Sequence, residues 1–502
     1  MMPRPNKILF VQLYAGGGIA SEFLYRKPSD YRTHLLKTYP QMKKWAREEV
    51  FDEIREWPDD VAVQASVDAL NVAGHFLAEN IKTPSKVLDS PINPEILISE
   101  LRKDSYTHVG FSIISIDYSN FVKCARAVKD FDSSIITLAG GPGAMFDQTK
   151  DYVDHVCVGR GVPFLRKLFN EKIEDPYKLK IMSNQYHLKY LNLETSTILH
   201  RMVTKIGCPY KCDFCVTHKM YDGEYTGELF TPQFIHDELI NFRDKIGENK
   251  LSIYFEEPTS VVSLKWWYNL FDLFKDDDGD FAFYVYGVTS ILEKLDFEKI
   301  SNSAARFHLV NFGIESFNKK YTKNNNVNMK SLIRRFSDHG IFTNPNYIIG
   351  FDFDSKESVM EDIKRLVDLG ATMNTVLHLH PHPMTSVWKE LESQNRLLDI
   401  PIEYYFIHGF QSFKHPNFNP GFEDMLPLLN KIYQYIQTET GGKILTYIQV
   451  MNNLLNHTNH PNLFKKDIKN LISIGKLVYP KWKKFFNPSE LQDKNYLSKM
   501  GL

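Results

Sequence analysis

Nowhere in its 502 residues does the chain carry about 18 uninterrupted apolar positions, so no membrane span is expected. Charge of one sign is also missing. Lys and Arg number 60 against 61 Asp and Glu, a net of −1. That balance supplies no general basic field for nucleic acid or an anionic membrane. Cysteine is scarce, with five in all, which excludes a disulfide-stapled secreted scaffold. Glycine (26) and proline (24) are too few for a collagen-like or low-complexity chain. No repeat of fixed period is present. The opening Met1-Met2-Pro3-Arg4-Pro5-Asn6-Lys7, followed by Ile8-Leu9-Phe10-Val11, does not read as a signal peptide, because the apolar run is short and no small-residue cleavage site follows it. The expected location is a reducing cytoplasm, where thiols are free to bind metal.

Hydrophobic residues make up 43% of the chain and charged residues 24%, the balance of a globular protein that can offset its ordering entropy by burial. The length suggests about three domains at roughly 150 residues each. Short apolar segments at 7–13, 86–89, 107–114, 135–139 and 155–158 read as strands, with a helix over 119–130 and a mostly helical stretch through 19–82. Strands alternating with helices imply a parallel, doubly wound sheet whose ligands sit at the carboxyl ends of the strands. Glycines cluster at those ends. Residues 171–197 are polar and read as a linker. A second series of strands follows near 199–205, 251–255, 281–286, 307–313, 345–350 and 373–380, with helices between them. Six such units suit an open, partial barrel with its chemistry on the loops after the strands. From 399 the chain is aromatic, rich in Asn and Lys, and helical by periodicity. The expected fold is therefore α/β, with domains at 1–175 (doubly wound), 176–398 (partial barrel) and 399–502 (mostly helical).

Three of the five cysteines fall within eight residues, Cys208-Pro-Tyr-Lys-Cys212-Asp-Phe-Cys215, on a loop after a strand. Thiolates at this density are metal ligands. Two centres fit. A structural zinc site would recruit His218 as its fourth ligand. An iron–sulfur cluster held by three thiolates would leave one iron open to a small molecule.

Gly207 through Cys215, with Phe214 before the last cysteine, resembles the signature loop of the radical SAM superfamily. Gly313-Ile314-Glu315-Ser316 is similar to that superfamily's fourth-strand motif, and Tyr347-Ile348-Ile349-Gly350-Phe351 to the fifth-strand motif near adenine. The resemblance implies a [4Fe–4S] cluster on Cys208, Cys212 and Cys215. It implies S-adenosylmethionine (SAM) on the open iron, cleaved to a 5′-deoxyadenosyl radical. It also implies a six-unit partial barrel. Glu257, or Glu256 beside it, would meet the ammonium of SAM, in a Phe255-Glu256-Glu257 stretch where relatives often have Gly-Gly-Glu. Glu315 would have a cofactor role, and Tyr286 and Thr289 could reach the ribose.

The first domain resembles the cobalamin-binding domain of one large subgroup. The matching stretches are Val109-Gly110-Phe111-Ser112, Ala139-Gly140-Gly141-Pro142-Gly143 and Val158-Gly159-Arg160-Gly161-Val162, flanked by Ala69–Gly74 and Val87–Pro91. Ser112, Gly140, Gly141, Gly143, Gly159 and Gly161 are the implied cobalamin contacts. Two departures stand out. No Asp-x-His-x-x-Gly motif offers a histidine to cobalt. Arg160 and Val162 occupy positions that are usually acidic in the subgroup.

No catalytic residue is assigned from the sequence. His378, His380 and His382 alternate on one face of an extended segment and could serve substrate contact, proton transfer, a second metal or an ordinary polar strand end. Cys124 and Cys157 read as buried hydrophobes. The run Asp276-Asp277-Asp278-Gly279-Asp280 lacks the terminal Glu of a calcium loop. The basic, aromatic Tyr479–Phe486 reads as a snorkelled helix face. The resemblance implies cobalamin-dependent C-methylation of a small molecule, with a reductant such as flavodoxin or ferredoxin as partner. The alternatives are a cobalamin-free radical SAM enzyme and a zinc-stabilised binding protein.

Overall fold

The computed structural model describes residues 5–13, 32–33, 35–37, 39–52, 63–67, 70–89, 92–190, 193–301, 303–318 and 327–440. Gly16–Gly18 and the basic, aromatic Tyr479–Phe486 lie outside them, as does everything after 440.

Thirteen described strands form two sheets. They are β1 (Ile8–Leu13), β2 (Val63–Val67), β3 (Ser85–Leu88), β4 (His108–Ile113), β5 (Ile136–Gly140), β6 (His155–Val156), β7 (Met182–Tyr190), β8 (Leu193–Met202), β9 (Lys250–Phe255), β10 (Asp280–Gly287), β11 (Ala305–Glu315), β12 (Phe342–Ile349) and β13 (Thr375–His378).

The first sheet has the order β3-β1-β4-β5-β6 and is parallel throughout. Its interior strand β1 is apolar on both faces because both faces are covered. Leu9, Val11 and Leu13 pack with Phe121 and Ala125 of the helix Tyr118–Phe131. Ile8 and Phe10 pack with Leu165, from the helix Gly161–Leu168, and Phe169.

The second sheet has the order β13-β12-β11-β10-β9-β8-β7-β2. The six strands β8 to β13 run parallel, matching the series read from the sequence. Helices Pro232–Ile246, Leu264–Leu273, Met329–Asp338 and Lys356–Asp368 separate them, each N-capped by a Thr, Ser or Asn side chain. One large apolar cluster joins strands to helices, with Trp267 and Phe271 against Phe283 and Phe307.

Two segments differ from the sequence reading. The polar stretch 171–197 contains β7 and the start of β8, an antiparallel pair. Ser183, Asn184 and Gln185 are poor strand formers, so pairing rather than propensity fixes this strand. Within the stretch read as helical, β2 joins the second sheet by pairing antiparallel to β7.

Candidate active site

The cysteine loop leaves the end of β8. Gly207, at φ +81°, pairs with Tyr225 as an antiparallel bridge. A Cβ there would lie 2.1 Å from the Glu224 carbonyl oxygen, so only glycine admits this approach. Beyond it the loop turns on a hydrogen bond from Cys215 N to Cys212 O (3.1 Å) and enters the short helix Thr217–Met220. Cys208, Cys212 and Cys215 are all half-buried and joined in no disulfide. Val387 N donates to Asp213 O (3.3 Å), tying the loop to the helix Ser386–Ser393.

A cavity of about 540 Å³ opens beside this loop. Cys212 and Phe214 line it from one side, and Glu315, Phe351, Phe353 and Phe413 from the others. Phe214 meets Phe351 edge-on at 6.2 Å, and Phe351 stacks on Phe353 at 5.4 Å. Glu315 ends β11 at φ +65°, where the pairing with β12 slips by a residue. A non-glycine residue held in that region stores backbone strain. Its carboxylate folds over Gly313, where a Cβ would sit 1.8 Å from Glu315 Oε1. Gly313 is therefore the space into which the carboxylate turns. Asp354 accepts from the backbone N–H groups of Gly350 (2.8 Å) and Phe351 (3.0 Å), which fixes the turn that carries Phe351. Burial raises the Asp354 carboxyl to about 6. At the rim, Arg396 grips Asp352 through two hydrogen bonds of 2.5 and 2.6 Å.

A second cavity of about 520 Å³ lies where the carboxyl ends of the first sheet face the ends of β8 and β9. Ser112, Gly140, Gly141, Gly159 and Gly161 line it. Gly143 does not. It packs beneath, where a Cβ would fall 2.3 Å from Ile113 Cγ2. A Cβ at Gly140 or Gly159 would meet nothing within 4 Å, so these glycines leave open floor. Arg160 is committed elsewhere. It pairs with Glu224, next to the Tyr225 bridge to Gly207, while Gly159 N donates to Met220 O at 2.8 Å. Val162 packs with Phe76 and Ile206. The unusual Arg and Val thus dock the first unit onto the flank of the cysteine loop.

Glu256 and Glu257 line this second cavity and not the first. Glu256 is paired with Arg201. Glu257 and Lys205 have no exposed side-chain surface and lie 3.6 Å apart. Glu257 also accepts from Thr204 Oγ1 at 2.7 Å, and burial raises its carboxyl above the ordinary value. The Lys205 ammonium has no hydrogen-bond partner among the described residues and sits 5.2 Å over the Trp266 ring. Lys205, Arg201 and Tyr225 escaped the sequence reading. A lysine inside the apolar approach to the first cysteine was the available signal for Lys205.

Tyr286 is half-buried on β10, and Thr289 is buried in the turn after it. His378 is buried against Gln411 (Nε2 to Oε1, 3.2 Å), and His380 Nδ1 bonds Tyr405 O at 2.8 Å. Burial holds these imidazoles neutral, with His380 lowered to about 4 and His382 to about 3. Among the described residues, no three His, Cys, Asp or Glu side chains converge on a point that would hold one metal ion. Cys124 and Cys157 are thiols pushed up to about 12 by burial. In the aspartate run, Asp277 is paired with His236 and Arg243, and Asp278 with Arg243.

No family model matches the chain. Its fold is similar to that of solved radical S-adenosylmethionine enzymes. Two solved structures carry that likeness. The radical S-adenosylmethionine methyltransferase TsrM from Kitasatospora setae, solved with tryptophan and a SAM analogue, aligns at a TM-score of 0.52 and 14% identity, covering 78% of this chain and 77% of TsrM. The cobalamin-dependent S-adenosylmethionine radical enzyme OxsB aligns at 0.53 and 11%, covering 95% of this chain and 72% of OxsB. By sequence, the anaerobic magnesium-protoporphyrin IX monomethyl ester cyclase of Cereibacter sphaeroides is 24% identical over 226 residues, spanning 40% of this chain and 33% of the cyclase.

Proposed function

We propose that the chain is a radical SAM enzyme that also binds cobalamin and methylates an unactivated carbon of a small molecule. One observation carries the reading. Two segments about 100 residues apart, the cysteine loop and the Gly313–Ser316 turn, meet across one cavity with the Phe351 turn. When bound, the cluster and SAM supply a 5′-deoxyadenosyl radical, and cobalamin supplies a methyl group.

The residues fit these groups. Three half-buried thiols on a loop held by Gly207 can take a cluster, and its irons fix the thiolate form. Glu315 holds a carboxylate toward the cysteine side, where it can accept hydrogen bonds from SAM. Phe214, Phe351, Phe353 and Phe413 keep water from the reacting centre. The second cavity is within the range of cofactor clefts, roughly 300–1,000 Å³, and Gly140 and Gly159 give it a floor a flat ring can approach. Glu257 would take the SAM ammonium only after exchanging its contact with Lys205.

A second reading keeps the SAM chemistry and drops cobalamin, with ring closure as the outcome. The likeness to the protoporphyrin ester cyclase favours it. Both readings need an electron donor such as flavodoxin or ferredoxin. Anaerobic reconstitution followed by assay of deoxyadenosine tests the shared step. Cys208→Ala, Cys212→Ala and Cys215→Ala should each abolish deoxyadenosine and lower bound iron. Retained production would sink both readings.

A further inference from the structure

His378 ends β13, and His380 and His382 follow it at the carboxyl end of the sixth parallel strand. They stand between the two cavities. Leu379, beside them, lines the first. A Cβ at Gly350 would lie 3.0 Å from His378 Cδ2, and the next residue, Phe351, lines that same cavity. On the other side, His380 and His382 meet the Phe406 ring at 6.2 and 4.7 Å, and Phe406 meets Phe146 at 5.9 Å. Phe146 follows the short turn Pro142–Met145, whose Pro142 lines the second cavity.

Hydrogen bonds fix which ring nitrogens carry protons. A backbone carbonyl can only accept, so His380 Nδ1 donates to Tyr405 O at 2.8 Å. Burial keeps the ring from taking a second proton near neutral pH, which leaves Nε2 with a bare lone pair. The neighbouring ring, 5.0 Å away, is set the opposite way round. Gln411 Nε2 donates to Phe413 O at 3.1 Å, which turns Gln411 Oε1 toward His378 and makes His378 Nε2 the donor between them. His378 Nδ1 is thus a second bare acceptor, buried and without a partner. His378 is sealed, whereas His380 and His382 are only half-buried. A desolvated acceptor that is still reachable is one that a ligand's donor group can satisfy.

We infer that His380 binds the substrate, accepting at Nε2 a hydrogen bond from a hydroxyl or N–H group of a neutral molecule seated against Phe406. The inference rests on the radical SAM reading, under which the substrate has to face both cavities, and narrows its substrate. A carboxylate or phosphate at this place would set lone pair against lone pair. A plain hydrocarbon would cover the nitrogen without satisfying it, at a cost in free energy.

The test uses the full chain near neutral pH and ligand-observed NMR with phenol, anisole and benzoate. The three share a ring that suits Phe406 and differ in the group it carries: a donor, an acceptor alone, an anion. Phenol should bind saturably, anisole about tenfold more weakly, and benzoate should not compete. In His380→Phe the preference for phenol over anisole should fall to about one, a ratio that general loosening of the fold would not move. His380→Gln keeps an acceptor and should keep the preference. Long-range proton–nitrogen spectra of the histidine-labelled wild type give a readout that needs no folded His380→Phe. They should show Nδ1–H and a bare Nε2 at His380, with the Nε2 line shifted by phenol and not by anisole. Equal binding of phenol and anisole by the wild type, the result for a nitrogen that meets water only, would overturn the inference. So would no phenol binding, competition by benzoate, a preference kept in His380→Phe, or an Nε2–H tautomer at His380. Iron content and deoxyadenosine formation on the same preparation test the underlying reading separately. A chain that passes those tests and shows no preference for phenol refutes the substrate inference alone.

Discussion

Gly313→Ala separates function from stability. The added Cβ would lie 1.8 Å from Glu315 Oε1 and 2.5 Å from its Cδ, so the carboxylate has to swing away. The clash is with the far end of a flexible side chain and not with backbone, so the fold can absorb it. Alanine also restricts the unfolded chain more than glycine does, an offset of about 0.5–1 kcal/mol in favour of folding. Stability should therefore stay within about 1 kcal/mol of wild type. The displaced carboxylate is another matter. A hydrogen bond to a charged group contributes about 1.5–3 kcal/mol, so SAM cleavage should fall roughly 10- to 150-fold. Glu315→Gln should show a loss of similar size with an unaltered melt. The assays are thermal melting and the initial rate of deoxyadenosine formation with excess reductant. Wild-type turnover in Gly313→Ala, or a variant that fails to fold, would refute the reasoning.

Gly207→Ala forces a Cβ against backbone at a positive φ, so it should cost about 2 kcal/mol or more and lower iron retention; calorimetry and iron assay check both. Lys205→Met leaves Glu257 buried without its ammonium and should cost about 3 kcal/mol near neutral pH by urea denaturation. Its pH dependence follows from the raised carboxyl of Glu257. The unfolded chain releases that proton near 4.5 and the folded chain holds it to higher pH, so stability is lost as pH rises above 4.5 through the folded value. Without Lys205 that value moves further up, so the variant's deficit should shrink on acidification toward 4.5. A deficit that does not vary with pH would contradict the buried pair. Arg160→Met removes the clasp to Glu224, half-exposed at 52%, and should alter stability by less than about 1 kcal/mol.

The parts legible in the sequence are those with strong local signals. Strands such as Ile8–Leu13 are apolar on both faces because helices cover both, and that burial leaves a continuous run. The cysteine spacing and Gly313–Ser316 were visible because chemistry dictates residue type there. What stayed hidden depends on partners distant in sequence. β7 contains residues that do not favour a strand and owes its form to β2 and β8. The slip that turns Glu315 over Gly313 is a matter of register with β12. The pairing of Glu257 with Lys205 spans 52 positions, and no pattern along the chain announces it. Gly143 shares the spacing of the cavity-lining glycines, yet its space is filled by Ile113. The stacking of Tyr254 on Tyr284 emerges only when register aligns β9 with β10.

The most direct test is anaerobic purification after expression with cobalamin supplied, followed by quantitation of iron, sulfide and corrinoid per chain. The account predicts about four irons, matching sulfide and one corrinoid, with the iron lost in Cys212→Ala. About one zinc per chain without sulfide would contradict it.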